Sequence, residues 1–268
     1  MLKIGIVGCG TIGTGIARAI EAGRIPAALA GLHNRTRARA EVLARSLSPS
    51  PPVLDLAELV GASDLVAEAA TRESLEQIVP ACLQNGRDVF VISIGGLLDH
   101  PEWFQEADAR GCAILVPSGA IAGLDGVRAA AMGRIDSVTM TTRKPPRGLA
   151  GAPYVVDHGI DLDAFTEETP IFEGTAREAC QGFPSNVNVS AALSLAGIGP
   201  DKTRVRIIAV PGGIFNRHRI EVKGEFGRLV VEVENVPSET NPRTGLLSIY
   251  SSIGTLAEYA RARRTRRS

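Results

Sequence analysis

The opening stretch, "MLKIGIVGCGTIGTGIARAIEAG", constrains the fold of this chain more than any other. An apolar run, "KIGIVG", leads into Gly8, Gly10 and Gly13 at GxGxxG spacing, and a helix-forming stretch follows at once. Strand, tight turn and helix in that order open a strand-helix-strand unit that binds a dinucleotide. In such a unit Gly8 permits the turn, Gly10 leaves the pyrophosphate unobstructed, and Gly13 lets helix and strand pack closely. The phosphates would sit at the helix start, by Thr11 and Ile12, where free N–H groups and the helix dipole favour negative charge. The competing reading is a purely structural turn in another α/β fold.

The grammar continues along the chain. "AALAGLHN", "DLVAEAA", "RDVFVISI" and "CAILVPS" read as strands, separated by helical "RARAEVLARSL", "RESLEQIVPACLQNG" and "HPEWFQEADARG", with "SPSPP" as a loop. Strands spaced by helices of that length predict a parallel sheet with helices on its faces. Near residue 120 the pattern changes. After a short helix around "GLDGVRAAAM", the strands "RIDSVTMTTRK", "RVRIIAV", "NRHRIEVKG" and "GRLVVEVEN" are longer and alternate, as in a mixed or antiparallel sheet, with "NVNVSAALSLAGIG" as a helix packed on it. The expected fold is therefore α/β. A Rossmann-type doubly wound parallel sheet spans residues 1–120, and a second α/β domain on a mixed or antiparallel sheet spans 121–243. A final helix, 244–264, packs back on the first domain.

The bulk properties narrow the partners. A chain of 268 residues, 44% hydrophobic and 22% charged, supports one large or two modest globular domains. Lys and Arg total 29, as do Asp and Glu, and this balance argues against nucleic acid and against anionic membranes. The basic tail "ARARRTRRS" reads as a solvated helix end. Cys9, Cys82, Cys112 and Cys180 are widely spaced, with no zinc-type pairing, so no metal site is expected and the thiols read as reduced. With no apolar signal core after the first Met and no long apolar run, the expectation is a cytoplasmic protein.

Chemistry-bearing residues fall into two groups. The second strand ends in "LHNRTRAR", where an acidic residue would select NAD through the ribose hydroxyls. Asn34 stands there instead, followed by Arg35. No carboxylate repels a 2′-phosphate, and arginine pairs with one, so NADP is accepted or even preferred while Asn34 can still bind a bare ribose. Arg35 and Arg37 read equally well as solvated residues at a helix start, and His33 as a surface residue. The second group lies after residue 115. "VPSGAIAGLDG" leaves backbone open to a ligand or makes a tight turn, and Asn186 and Asn188 stand at a helix start where one cap suffices. In "NRHRIEVKG" period two puts Asn216, His218, Ile220 and Val222 on one face, with Arg217, Arg219 and Glu221 on the other. His218 is thus either a buried, satisfied imidazole or a group placed to exchange protons. His158, flanked by Asp157 and Asp161, is a second candidate acid-base residue or a surface loop histidine, and His100, before a proline, reads as a helix-entry residue.

Taken together, "VPSGAIAGLDG", "TTRKPP", "FPSNVNVSAALSLAGIGPDKT", "NRHRIEVKGEFG" and "ENVPSETNPRTGLLS" closely resemble the L-aspartate dehydrogenase family, over essentially the whole chain. The resemblance implies oxidation of L-aspartate to iminoaspartate with NAD or NADP, or the reverse reductive amination. The imine either hydrolyses to oxaloacetate and ammonia or is handed to quinolinate synthase for NAD biosynthesis. It implies His218 as the catalytic residue, Ala122 and Asn188 as contacts near the nicotinamide, and a homo-oligomer, a dimer through the second sheet. Family members often carry an acidic residue at Asn34, which bears on cofactor choice. The two substrate carboxylates need cations or donors, for which Arg143 and Lys144 are candidates, with Lys202 and Thr203 behind them. The competing readings are a dehydrogenase or reductase of the homoserine or dihydrodipicolinate type, sharing the first-domain pattern, and a catalytically silent dinucleotide sensor.

Overall fold

The computed structural model describes residues 1–184, 188–236 and 245–265. The chain divides into two compact units, Met1–Pro117 with Ile249–Ser268, and Ser118–Ser248.

The first unit runs β1 (Leu2–Val7), α1 (Thr11–Glu21), β2 (Ala27–His33), α2 (Arg37–Arg45), α3 (Leu56–Ala62), β3 (Leu65–Glu68), α4 (Leu75–Gln84), β4 (Asp88–Val91), α5 (Glu102–Arg110) and β5 (Ile114–Leu115). Its strands form one sheet in the order β2-β1-β3-β4-β5, every pairing parallel. β3 and β4 are buried at every position, as befits strands covered on both faces, and apart from Glu68 and Asp88 at their ends they are apolar. α3 interrupts what reads in the sequence as loop and strand. Asp55 accepts from the Glu58 N–H and Glu58 returns a bond to the Asp55 N–H, a reciprocal cap that starts the helix.

The second unit runs α6 (Leu124–Ala130), β6 (Ile135–Lys144), α7 (Pro153–Asp157), β7 (Thr169–Thr175), α8 (Ala176–Gly182), α9 (Asn188–Ala196), β8 (Arg204–Ala209), β9 (Asn216–Gly224) and β10 (Gly227–Asn235). The sheet order is β10-β9-β6-β8-β7, with β6 and β8 parallel and the other neighbours antiparallel. It is a mixed sheet with one largely apolar, buried face. Val138 and Met140 of β6, Val205 and Ile207 of β8, and Ile220 and Val222 of β9 are buried there, and the Ser190 hydroxyl of α9 reaches the Met140 sulfur. The opposite face carries ion pairs such as Arg206–Glu173, Arg217–Glu234 and Arg219–Glu232. β7, α7 and α8 are additions to the sequence-based expectation. α8 announces itself by a second reciprocal cap, Thr175 with Glu178.

The last helix, α10 (Leu246–Thr265), buries Ile253, Leu256, Ala257 and Ala260 in the core formed by Ile4, Ile6 and Ile16. Near its end the Tyr259 hydroxyl donates to buried Asp88 at 2.6 Å and Arg263 pairs with the same carboxylate. Among the described residues no helix is long and apolar enough to cross a membrane.

Candidate active site

In the first unit, the glycine turn is built as its spacing predicts. Gly8 adopts φ +97°, a left-handed value that favours glycine, and a Cβ there would run into the backbone of Ala69. A Cβ on Gly13 would overlap the Gly8 carbonyl, so α1 can approach β1 only because Gly13 has none. A Cβ on Gly10 would meet nothing within 4 Å. Two glycines are thus demanded by the protein itself, while the third faces open space at the N-cap of α1. That open cradle is what a pyrophosphate requires, and Thr11 and Ile12 begin the helix that would receive it.

Asn34 closes the side of this turn. Its Oδ1 accepts from the Cys9 N–H at 3.0 Å and its Nδ2 donates to the Thr36 carbonyl at 3.0 Å. The residue expected to read the ribose therefore also ties the glycine turn to the end of β2. Arg35 is exposed beside it, whereas Arg37 turns back to Glu41 and to the Val53 carbonyl. Cys9, within the turn, is held as a thiol, since burial pushes it up to about 11.

Glu68, at the end of β3, carries no role in the sequence reading and is fully buried. It accepts bonds from the N–H groups of Ala70, Ile92 and Ser93 and from the Ser93 hydroxyl, all between 2.7 and 3.0 Å. Burial raises its carboxyl, and those four bonds oppose the rise. One side chain thereby fixes the loops after β3 and β4, including the Ala69 backbone against which Gly8 packs.

In the second unit, period two brings a polar cluster onto the apolar face. Thr142, Lys144, Asn216, His218 and Asn235 are each no more than 4% exposed. His218 sits opposite Thr142 across the strand pair, and its Nδ1 lies 3.0 Å from the Thr142 hydroxyl. Asn216 is two residues before His218 and Lys144 two after Thr142, so both fall on this face; Asn235 joins them as the partner of Asn216. Burial, then the Lys144 charge, lowers His218 to about 3, and burial lowers Lys144 to about 8. Both groups are thus biased toward their neutral forms. The imidazole is uncharged at neutral pH.

Two expectations need correction here. Arg143 and Lys144 do not form one cation pair: a strand points neighbours to opposite faces, and Arg143 lies on the other side, paired with Glu168 at 3.1 Å. Lys202 and Thr203 precede β8, whose first residue pairs with Thr139, so they lie roughly 20 Å or more along the sheet from the level of Lys144. Lys202 is exposed, and the Thr203 hydroxyl closes a turn on the Gly199 carbonyl. The structure does not bring them to His218. Ala122 is exposed just before Gly123, the N-cap of α6, and Asn188 opens α9; Asn186 lies outside the described residues. His158 and His100 stack on Tyr154 and Trp103 as local surface contacts, and His33 bonds the Leu54 carbonyl. Among the described residues no cluster of His, Cys, Asp and Glu could hold a metal ion.

A parallel sheet with a dinucleotide cradle, joined to a mixed sheet with a dry imidazole, defines a pyridine-nucleotide-dependent oxidoreductase. Comparison with known proteins refines the class. A family model described as aspartate dehydrogenase, C-terminal, matches residues 125–259, and one described as homoserine dehydrogenase, NAD binding domain, matches residues 8–117. The L-aspartate dehydrogenase of Methanosarcina mazei is 48% identical over 260 residues, 96% of each chain. That of Bradyrhizobium diazoefficiens is 46% identical, covering 95% of this chain and 90% of its own. The crystal structure of aspartate dehydrogenase from Thermotoga maritima superimposes with a TM-score of 0.68 at 24% identity, covering 100% of this chain and 96% of that one. A homoserine dehydrogenase from Thiobacillus denitrificans shares the fold, with a TM-score of 0.63 at 15% identity over 98% of this chain and 74% of its own. The chain belongs to the L-aspartate dehydrogenase family.

Proposed function

We propose that this protein oxidises L-aspartate to iminoaspartate with a pyridine nucleotide, with His218 as the proton acceptor. The observation that carries the assignment of His218 is its burial beside Thr142 and Lys144 in a chain whose relatives, at 46–48% identity, are L-aspartate dehydrogenases. When bound, the nicotinamide supplies the hydride acceptor. The glycine turn and the start of α1 would hold its pyrophosphate, with Ala122 and Asn188 as further contacts.

The protein's own part is proton handling and charge. The tautomer that donates Nδ1–H to the Thr142 hydroxyl leaves the Nε2 lone pair free to take a proton from the substrate ammonium. Lys144, on the same face, supplies positive charge to a substrate carboxylate. The same imidazole can then position water on the imine, which yields oxaloacetate and ammonia. An imine released intact would suit a hand-off to quinolinate synthase in NAD biosynthesis.

For cofactor choice, the absence of a carboxylate at Asn34 and the exposed Arg35 support acceptance of NADP alongside NAD. A dimer through the second sheet is supported by the accessible, ion-paired face that β9 and β10 present. Cysteines that form no disulfide among the described residues fit a cytoplasmic setting. The test is nicotinamide absorbance with purified protein and L-aspartate, run with NAD and with NADP, beside His218→Ala. The reading requires turnover by the wild type and its collapse in the variant with cofactor binding retained. A fully active His218→Ala enzyme would remove the assignment.

A further inference from the structure

The cluster around His218 contains a buried polar atom that the reaction outlined above does not use. Asn235 is 2% exposed, and its Nδ2 donates to the Ala120 carbonyl at 2.9 Å. Its Oδ1 is buried and has no hydrogen-bond partner among the described residues. The orientation is fixed chemically: turned over, the amide would face one acceptor oxygen with another. A buried acceptor left open is costly, so an unfilled one marks a place where a donor belongs.

The register says which donor. His218 pairs with Val233 across β9 and β10, and Asn235 lies two residues beyond Val233 on the same face. Diagonal neighbours of this kind stand roughly 7–8 Å apart, a gap that one nitrogen spans with a bond to each side chain. The two residues are shielded alike, at 3% and 2%, so whatever movement admits an amine to the imidazole admits it to the amide.

We propose that Asn235 Oδ1 accepts an N–H of the substrate amine while His218 takes its proton. This rests on the reading of the chain as an amino-acid dehydrogenase. Once one proton has passed to the imidazole, the neutral amine keeps two N–H groups. As the Cα–H bond breaks and the C=N bond forms, that nitrogen gains positive charge, and its bond to Oδ1 strengthens. An interaction stronger in the transition state than in the ground state appears in kcat.

The test compares aspartate with succinate, which has both carboxylates and no amine. In Asn235→Ala, kcat/KM for L-aspartate should fall about 10- to 100-fold. The inhibition constant of succinate and the cofactor Kd, read by nicotinamide fluorescence, should stay within about threefold. Asn235→Ser, a smaller change, carries the same comparison if the alanine variant does not fold. Equal losses for succinate or cofactor would overturn the proposal and leave Asn235 as a clamp on the Ala120 segment or a partner of the nicotinamide amide. Unchanged kcat/KM would also overturn it. A wild type inert toward aspartate would instead sink the functional reading beneath it.

Discussion

Gly10 and Gly13 sit three residues apart in one motif, yet a methyl group added to each should fail in opposite ways. In Gly13→Ala the new Cβ overlaps the Gly8 carbonyl, a backbone atom that cannot swing aside, so α1 must move off β1. Overpacking of that kind costs about 1–3 kcal/mol. For a unit of this size the unfolding midpoint drops by roughly 3–12 °C. In Gly10→Ala the backbone is already at φ −85°, ψ −164°, open to any residue, and the methyl meets nothing within 4 Å. Alanine is a slightly poorer N-cap than glycine but less flexible when unfolded, and the net change should stay within about 0.5 kcal/mol. The methyl would instead occupy the phosphate cradle and weaken cofactor binding by about tenfold or more, which is about 1.4 kcal/mol. Thermal unfolding without cofactor and nicotinamide fluorescence titration separate the two effects. A Gly10→Ala protein that binds cofactor as tightly as the wild type would refute the placement of the pyrophosphate. A Gly13→Ala protein as stable as the wild type would refute the packing argument.

Other consequences follow from the buried charges and the ribose site. Lys144 falls from its ordinary 10.5 to about 8, so below pH 8 the folded protein carries the cost of a buried ammonium, about 3 kcal/mol. Lys144→Met should therefore raise the unfolding midpoint at pH 7 while abolishing turnover of aspartate, both measurable on one preparation. His218 is depressed to about 3, so between pH 6.5 and 3 the unfolded chain holds a proton that the folded one does not. Its contribution to stability is complete above pH 6.5 and is lost as pH falls toward 3, by up to about 1.4 kcal/mol per unit. Urea midpoints at neutral and acid pH should converge in His218→Leu relative to the wild type. Asn34→Asp keeps the acceptor for the Cys9 N–H but places a carboxylate at the ribose. The ratio of NADP- to NAD-dependent kcat/KM should fall about tenfold or more.

How much of this was legible depended on the distance over which each signal acts. β1, its glycine turn and α1 are local, and every residue that shapes them lies within the motif. The alternation that put Asn216, His218, Ile220 and Val222 on one face is also local, and the buried pattern of β9 follows it. The same rule, applied to "TTRKPP", separates Arg143 from Lys144; grouping them by charge overlooked that neighbours on a strand face apart. Short elements escaped because they are too brief to show a period, although the Asp55–Glu58 and Thr175–Glu178 caps were visible as spacings. Glu68, Thr142 and Asn235 could not be found this way. Glu68 matters through donors supplied by Ile92 and Ser93 just beyond the next strand, and Asn235 through a carbonyl 115 residues away. Pairings of that range are a property of the assembled sheets.

The dryness of the second unit's cluster bears on specificity as well as stability. An imidazole at about 3 is a poor base for an ammonium proton, and a lysine at about 8 is only partly charged near neutral pH. Both values belong to a site without its substrate. On the proposed reading two carboxylates enter with the amine. A carboxylate at roughly 4 Å in surroundings of effective dielectric near 20 stabilises a positive group by about 4 kcal/mol, or about three pKa units. A carboxylate beside them therefore draws His218 upward from about 3 and favours the charged form of Lys144. The second carboxylate acts in the same direction from further off. The substrate thus tunes the base that deprotonates it, and an amino acid with one carboxylate would provide only part of that shift. On that reading, selection for a second carboxylate needs no cage of arginines. On the proposed reading it arises because His218 and Lys144 are buried, and the charge that arrives with the substrate favours their charged forms.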